Sequence, residues 1–229
     1  MRKKLIFLLL VAATFALGSL GRISSGGTIQ TVSTSHLPQT LIIDAGHGGE
    51  DGGAVSITGV SESQINLSIA RKLEDILALY GVVPQMLRRE DISLHDSQAT
   101  TLREKKRSDL RNRVKAIEEA QSPVLVSIHQ NSYPEQRYRG AQVFYAPTED
   151  SKELAQHIQT MLNQNLDETN TRESKQIPDS VYLMNHITCP AVLVECGFLT
   201  NPEEEALLRQ DAYQRKIAAC LTGAILTAP

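Results

Sequence analysis

A chain of 229 residues has room for one domain of roughly 180 to 200 residues with a well-buried core, and little for a second. Its 41% hydrophobic and 21% charged residues are ordinary for a folded soluble domain, whereas 4% aromatic residues and no tryptophan argue against a base-stacking platform. A formal net charge of −3 also disfavours nucleic acid as a partner. One domain is therefore expected to carry the function.

The first 20 residues have the pattern of an export signal. Three basic residues at 2–4 precede an unbroken apolar stretch over 5–17, and a small-x-small cleavage site lies at its end. The pattern fits both a cleaved signal peptide and a short membrane anchor. Residues 21–39 are rich in Ser, Thr and Gly and predict a linker. The folded domain is therefore expected over 40–229, in an exported, extracytoplasmic protein.

From residue 40 onward, β-branched apolar runs alternate with helical patterns, which predicts an α/β fold. The three cysteines show no CxxC spacing and are expected to be small core residues rather than a disulfide framework. The predicted elements are, in chain order, strand 40–44, helix 63–81, strand 82–88, a polar loop over 94–106, helix 109–120, strands 123–129 and 140–146, helix 151–166, strands 181–184 and 191–198, and two terminal helices of which the last covers 211–228.

The stretch LIIDAGHGGEDGGA, residues 41–54, follows the first predicted strand and sets His47 among five glycines. A phosphate cradle is excluded, because three nearby acids would repel a phosphate and the spacing matches neither GxGxxG nor a GK[ST] loop. His47 stands where an open α/β sheet places its ligand crevice. A structural turn, a metal ligand and a catalytic histidine all remain open for this segment.

Three further residues extend the metal interpretation. Glu62 falls at the start of a predicted helix, where the helix dipole favours a charged carboxylate, although an acid is common there. His129 ends a buried strand and can face the same crevice, or it can be an ordinary core histidine. Glu195 lies in the buried strand AVLVECGF, where an unpaired carboxylate would cost several kcal/mol. Two histidines, a glutamate and a water form a catalytic zinc shell, and a second glutamate can take the proton of that water.

Four segments resemble, in order, the signatures of the zinc-dependent N-acetylmuramoyl-L-alanine amidases of the amidase-3 family: DAGHGGEDGGA, GVSESQINL, SIHQNS and PAVLVECGFLTNPEEEALL. The likeness covers residues 40 to about 227. It implies a single three-layer α/β domain with a central mixed, largely parallel sheet flanked by helices. It also implies one zinc ion as the cofactor, held by His47, Glu62 and His129, with Glu195 as the catalytic residue.

The family resemblance further implies hydrolysis of the amide that joins N-acetylmuramic acid to L-alanine of the peptidoglycan stem peptide. KKRSDLRNRVKAIEEA, GAQVFYAP and SVYLMNH resemble the germination-specific amidases of endospore formers, which implies a role in forming muramic-δ-lactam of the spore cortex. Asn131, a polar residue at a strand end, is a further candidate for substrate binding. The alternatives are a vegetative wall amidase, a zinc wall peptidase and a non-catalytic peptidoglycan-binding protein.

Two features bear on how the protein reaches and contacts peptidoglycan. Six basic residues lie between Arg103 and Arg113, and they either meet carboxylates of peptidoglycan stems or form a solvated helix face. The chain also has no recognisable wall-binding repeat. Its membrane anchor or an accessory protein is therefore expected to direct it to the wall.

Overall fold

Six strands form one sheet in the computed structural model of the chain, which describes residues 40–228. The predicted export signal and linker lie outside the described residues. The strand order is β2-β1-β3-β6-β4-β5; β2, β1, β3 and β6 pair in parallel, and β4 runs antiparallel to β6. The bounds are β1 (Thr40–Ala45), β2 (Gln85–Met86), β3 (Pro123–Asn131), β4 (Gln142–Tyr145), β5 (Lys175–Gln176) and β6 (Ala191–Phe198).

Helices cover both faces of this sheet because successive strand residues point to opposite sides. In β1, Leu41 and Ile43 pack in one apolar cluster, and Ile42 packs in a second on the other face. The predicted α/β fold, with a mixed, largely parallel sheet between helices, is confirmed. The helices are α1 (Glu62–Leu79), α2 (Leu102–Glu118), α3 (Ser151–Asn165), α4 (Tyr182–Asn185), α5 (Pro202–Leu208) and α6 (Asp211–Leu226), of which α1, α3 and α6 line the first cluster and α2 and α4 the second.

The predicted polar loop over 94–106 is wrong at its end, since α2 begins at Leu102. Thr101 accepts a hydrogen bond from the Glu104 backbone N–H (3.2 Å), and the Glu104 carboxylate accepts one from the Thr101 backbone N–H (3.0 Å). This capping box starts a helix whose first turns are exposed. An exposed helical start carries no apolar stripe, so periodicity missed it.

The prediction of a strand over 181–184 is also wrong. These residues lie at the short helix α4, where Leu183 and Met184 are buried in the second apolar cluster. A short apolar run has the same composition in a strand and in a buried helical turn. The predicted strand 82–88 is likewise reduced to Gln85–Met86.

The last strand and the cysteines match the sequence interpretation. Strand β6 covers 191–198, the predicted bounds. Cys189, Cys196 and Cys220 are buried and unpaired, as expected of core residues. No helix within residues 40–228 is long and apolar enough to cross a membrane.

A buried arginine joins α2 to the end of β1. Arg113 Nε donates to Asp109 Oδ2 (2.7 Å), Nη2 donates to the His47 carbonyl (2.8 Å), and Nη1 contacts the Asp44 carboxylate. Burial alone would raise the pKa of Asp44, but the charge of Arg113 holds that pKa below its ordinary value. The segment that contains His47 is therefore tied to α2 by a buried network of opposite charges.

Replacing Arg113 with alanine should lower the free energy of unfolding by about 3–5 kcal/mol, because two carboxylates would stay buried without their cation. Arg107→Ala is the matched control, since Arg107 is exposed on the same helix and should change stability by about 0.5 kcal/mol or less. Urea unfolding followed by circular dichroism measures both variants. Equal stability of the two variants would contradict the role given to Arg113.

Candidate metal centre

The central strands bring the predicted site residues to one edge of the sheet. Strands β1, β3 and β6 are parallel neighbours, so their carboxyl ends lie side by side. His47 follows β1 by two residues, His129 lies near the end of β3, and Glu195 of β6 pairs directly with His129. Residues far apart in the chain are thereby placed around one crevice.

Glu62, the first residue of α1, completes a group with the two histidines. One ligand-capable atom from each of His47, Glu62 and His129 lies within 4.8 Å of the others. Glu62 Oε2 is 3.4 Å from His47 Nε2, and Glu62 Oε1 is 2.9 Å from His129 Nδ1. The two imidazole rings cross at 74°, with centroids 5.1 Å apart. The structure therefore brings together the three side chains that the sequence proposes as ligands.

Two glycines are required by the space these side chains occupy. A Cβ at Gly46 would lie 2.1 Å from His129 Nε2. A Cβ at Gly53, where φ is +69°, would lie 2.5 Å from Glu62 Oε2 and 2.7 Å from His47 Cδ2. The glycine-rich turn therefore leaves room for the two imidazoles and the carboxylate.

The Glu62 carboxylate is buried and rich in hydrogen bonds. It is 4% exposed; Oε1 accepts from the Gln130 backbone N–H (3.1 Å), and Oε2 accepts from that of Ala54 (3.0 Å). Burial alone would raise its pKa, but the hydrogen bond with His129 and the nearby imidazoles lower it to about 2. Glu62 is therefore ionised at neutral pH, as a metal ligand must be.

Two supporting side chains were missed by the sequence analysis. Asp51 Oδ2 lies 3.1 Å from His47 Nδ1, which turns the other ring nitrogen toward Glu62. Asn66, fully buried in α1, donates to Glu62 Oε1 (3.2 Å). In the sequence analysis, Asp51 counts only as one of three acids that would repel a phosphate. An asparagine on the apolar face of a predicted helix was the signal that could have found Asn66.

Glu195 differs from Glu62 in its hydrogen bonds. Its Oε2 is buried and has no hydrogen-bond partner among residues 40–228. Burial, with a smaller contribution from the Glu62 charge, raises the pKa of Glu195 to about 7, against the opposing effect of His129. A buried carboxyl group without a partner is uncommon and calls for an explanation in the chemistry of the site.

The remaining sequence candidates have different surroundings. Asn131 ends β3 with its side chain on the face of His129. In the basic segment, Lys105 Nζ lies 2.6 Å from Glu50 and Lys106 Nζ lies 3.2 Å from Asp51. With Arg113 buried, three of the six basic residues are engaged within the domain, so neither predicted role describes the whole segment.

The donor set fits a zinc ion. Two imidazole nitrogens and one carboxylate oxygen, with a fourth position open, are the ligands of catalytic zinc sites. One such donor atom from each of the three side chains lies within 4.8 Å of the other two, so the three donors converge on one point.

An open α/β sheet with such donors at its carboxyl edge is typical of metal-dependent hydrolases. A family model described as N-acetylmuramoyl-L-alanine amidase matches residues 41–227. The chain belongs to this amidase family, which confirms the family resemblance and the enzyme class.

Three individual amidases show how similar the chain is to particular members of the family. The germination-specific N-acetylmuramoyl-L-alanine amidase of Bacillus subtilis (strain 168) is 38% identical over 187 residues, which cover 81% of this chain and 78% of that protein. The CwlD amidase from Clostridioides difficile, solved in complex with the GerS lipoprotein, matches with a TM-score of 0.78 and 41% identity, over 81% of this chain and 95% of that chain. The amidase LytC of B. subtilis is 31% identical across 80% of this chain but only 34% of its own length. The resemblance to germination-specific amidases is confirmed.

Gly53→Ala should weaken zinc binding by roughly 10- to 100-fold, because the new methyl group would displace Glu62 and His47. Gly59→Ala is the matched control: its φ is +89° and no atom lies within 4 Å of the added Cβ. It has a similar left-handed backbone cost of about 1–2 kcal/mol without the clash. Competition with a chromophoric chelator measures zinc affinity. Equal affinities in the two variants would contradict ligation by His47 and Glu62.

Proposed function

We propose that this amidase is a zinc-dependent peptidoglycan hydrolase that cleaves the amide between N-acetylmuramic acid and L-alanine of the stem peptide. His47, Glu62 and His129 hold the zinc ion, and Glu195 is the catalytic residue. The observation that supports the proposal most strongly is the meeting of three metal-binding side chains beside a buried glutamate oxygen that has no hydrogen-bond partner within residues 40–228.

Different residues of this chain have different roles in the proposed reaction. A zinc ion in the site supplies Lewis acidity to a water molecule and to the amide carbonyl. Glu195 accepts the proton of the attacking water and delivers it to the alanine nitrogen as the C–N bond breaks. Asn131, on the same face as His129, donates a hydrogen bond to the substrate. The products are a muramic acid carboxylate and a stem peptide with a free L-alanine amino terminus.

Glu195→Ala should largely abolish turnover and leave zinc bound, because Glu195 acts on the proton and the ligands stay in place. Glu119→Ala, an exposed carboxylate at the end of α2, is the control and should keep full activity. Zinc content by mass spectrometry and release of stem peptides from peptidoglycan give the two measurements. Retained activity in Glu195→Ala would overturn the assignment. Cleavage within the stem, rather than before L-alanine, would identify a wall peptidase instead.

We propose that the substrate is spore-cortex peptidoglycan and that the enzyme acts in the formation of muramic-δ-lactam. The support is its similarity to a germination-specific amidase and to the CwlD amidase. Removal of the stem peptide frees the lactyl carboxylate of muramic acid. A separate deacetylase and ring closure then convert the peptide-free residue into the lactam.

A strain that lacks this protein should lose muramic-δ-lactam from its cortex, since the peptide-free precursor would not form. Mass spectrometry of cortex muropeptides tests this, with complementation by wild type and by Glu195→Ala. Only the wild-type chain should restore the lactam. Unchanged lactam in the deletion strain would instead favour vegetative wall turnover for this amidase.

We also propose that the protein is exported, acts outside the cytoplasm at the membrane or wall, and is directed there by an accessory protein. The relative from C. difficile was solved in complex with the GerS lipoprotein, which supports a partner of that kind.

A further inference from the structure

Arg172 is the one arginine within residues 40–228 that is at least partly buried and has no carboxylate within 4 Å. The other two arginines with restricted exposure are paired, Arg88 with Asp91 at 3.9 Å and Arg113 with Asp44. A guanidinium keeps its charge at every physiological pH. Arg172 therefore holds a positive charge that no acid of the described chain neutralises by contact.

Neutral groups hold this guanidinium in place. Arg172 Nε donates to the Arg139 carbonyl (2.9 Å), and Nη1 donates to the Gln142 side-chain oxygen (3.1 Å). Its Cζ lies 4.9 Å from the centroid of the Phe198 ring. Nη2 makes no hydrogen bond within residues 40–228, so donors remain free on a side chain that is already ordered.

Both side chains that hold Arg172 flank Glu195. Gln142 of β4 pairs directly with Glu195 of β6, so the two side chains share one face of the sheet. The β3–β6 register shifts after His129, and Phe198 pairs with Asn131. This bulge places Phe198 on the face of Glu195, because it adds one residue to β6.

The chemistry of the substrate indicates what this cation binds. The proposed scissile amide lies at Glu195, and on its leaving side the stem peptide carries carboxylates, whereas the glycan side carries hydroxyl and acetamido groups. Carboxylate is the anion that a guanidinium binds with two parallel hydrogen bonds. We propose that Arg172 forms a subsite for a carboxylate of the stem peptide, an inference that rests on the proposed function.

Other cations near the crevice are less suited to this task. Arg137 is exposed and lies 2.8 Å from Glu135, and Arg139 contacts both Asp167 and Glu203 at 3.4 Å. Each of these arginines would have to release a carboxylate of the protein before it could bind one of the substrate, whereas Arg172 has no such partner within residues 40–228.

Two synthetic muramyl peptides test the subsite, one with all stem carboxylates free and one with all of them converted to carboxamides. Wild type should hydrolyse the carboxylate form with a kcat/KM roughly 10- to 100-fold higher, the range of one charge-assisted interaction. Arg172→Gln should remove this preference by slowing the carboxylate substrate alone. Arg172→Lys should restore part of it, because lysine keeps the charge without the planar fork.

Arg215→Gln is the matched control, since it removes an exposed arginine from α6 and should leave the preference unchanged. An equal loss on both substrates in Arg172→Gln would overturn the subsite, because it would show that Arg172 only supports the fold. Equal hydrolysis of both substrates by wild type would also overturn it. Hydrolysis of neither substrate by wild type would instead reject the proposed function, and the subsite with it.

Discussion

Two buried guanidinium groups hold the turn after β1, and the candidate metal centre depends on that turn. Arg88 donates to the carbonyls of Ala45 (2.8 Å) and Gly46 (3.1 Å), and Arg113 donates to the carbonyl of His47 (2.8 Å). A buried carbonyl without a hydrogen-bond donor destabilises the folded state. The hydrogen bonds from the two arginines therefore stabilise the backbone conformation of this turn. They also support the left-handed φ of +60° at His47, a strained conformation that persists where its surroundings define it.

Most of the candidate site residues have a local signal in the sequence. His47 lies in a glycine-rich turn after a strand, and Glu195 is an acid inside an apolar strand. These side chains lie close together because β1, β3 and β6 are neighbouring strands. Such an arrangement of parallel strands is common in α/β domains. Glu62 had the weakest signal alone, since an acid at a helix start is common, and the family resemblance singled it out.

Other parts of the structure depend on contacts that one sequence does not display. Arg172 lies in the segment TRESKQIP, which has no periodicity, and its surroundings come from Gln142, 30 residues away, and from Phe198. The bulge that turns Phe198 to the site exists only in the pairing of β3 with β6. The predicted start of α2 was wrong for a local reason. Its first turn is exposed and is stabilised by Thr101 and Glu104 rather than by an apolar face.

The two glutamates of the centre show how local hydrogen bonding can separate two roles. Glu62 accepts from two backbone N–H groups and from Asn66, which stabilise its charged form. Glu195 Oε2 has no such donor within the described chain, although its strand pairs directly with that of His129. A carboxylate that N–H donors orient and keep ionised suits ligation, whereas one with a free buried oxygen suits proton transfer. The supply of donors therefore explains the proposed division between ligand and proton carrier better than sequence position does.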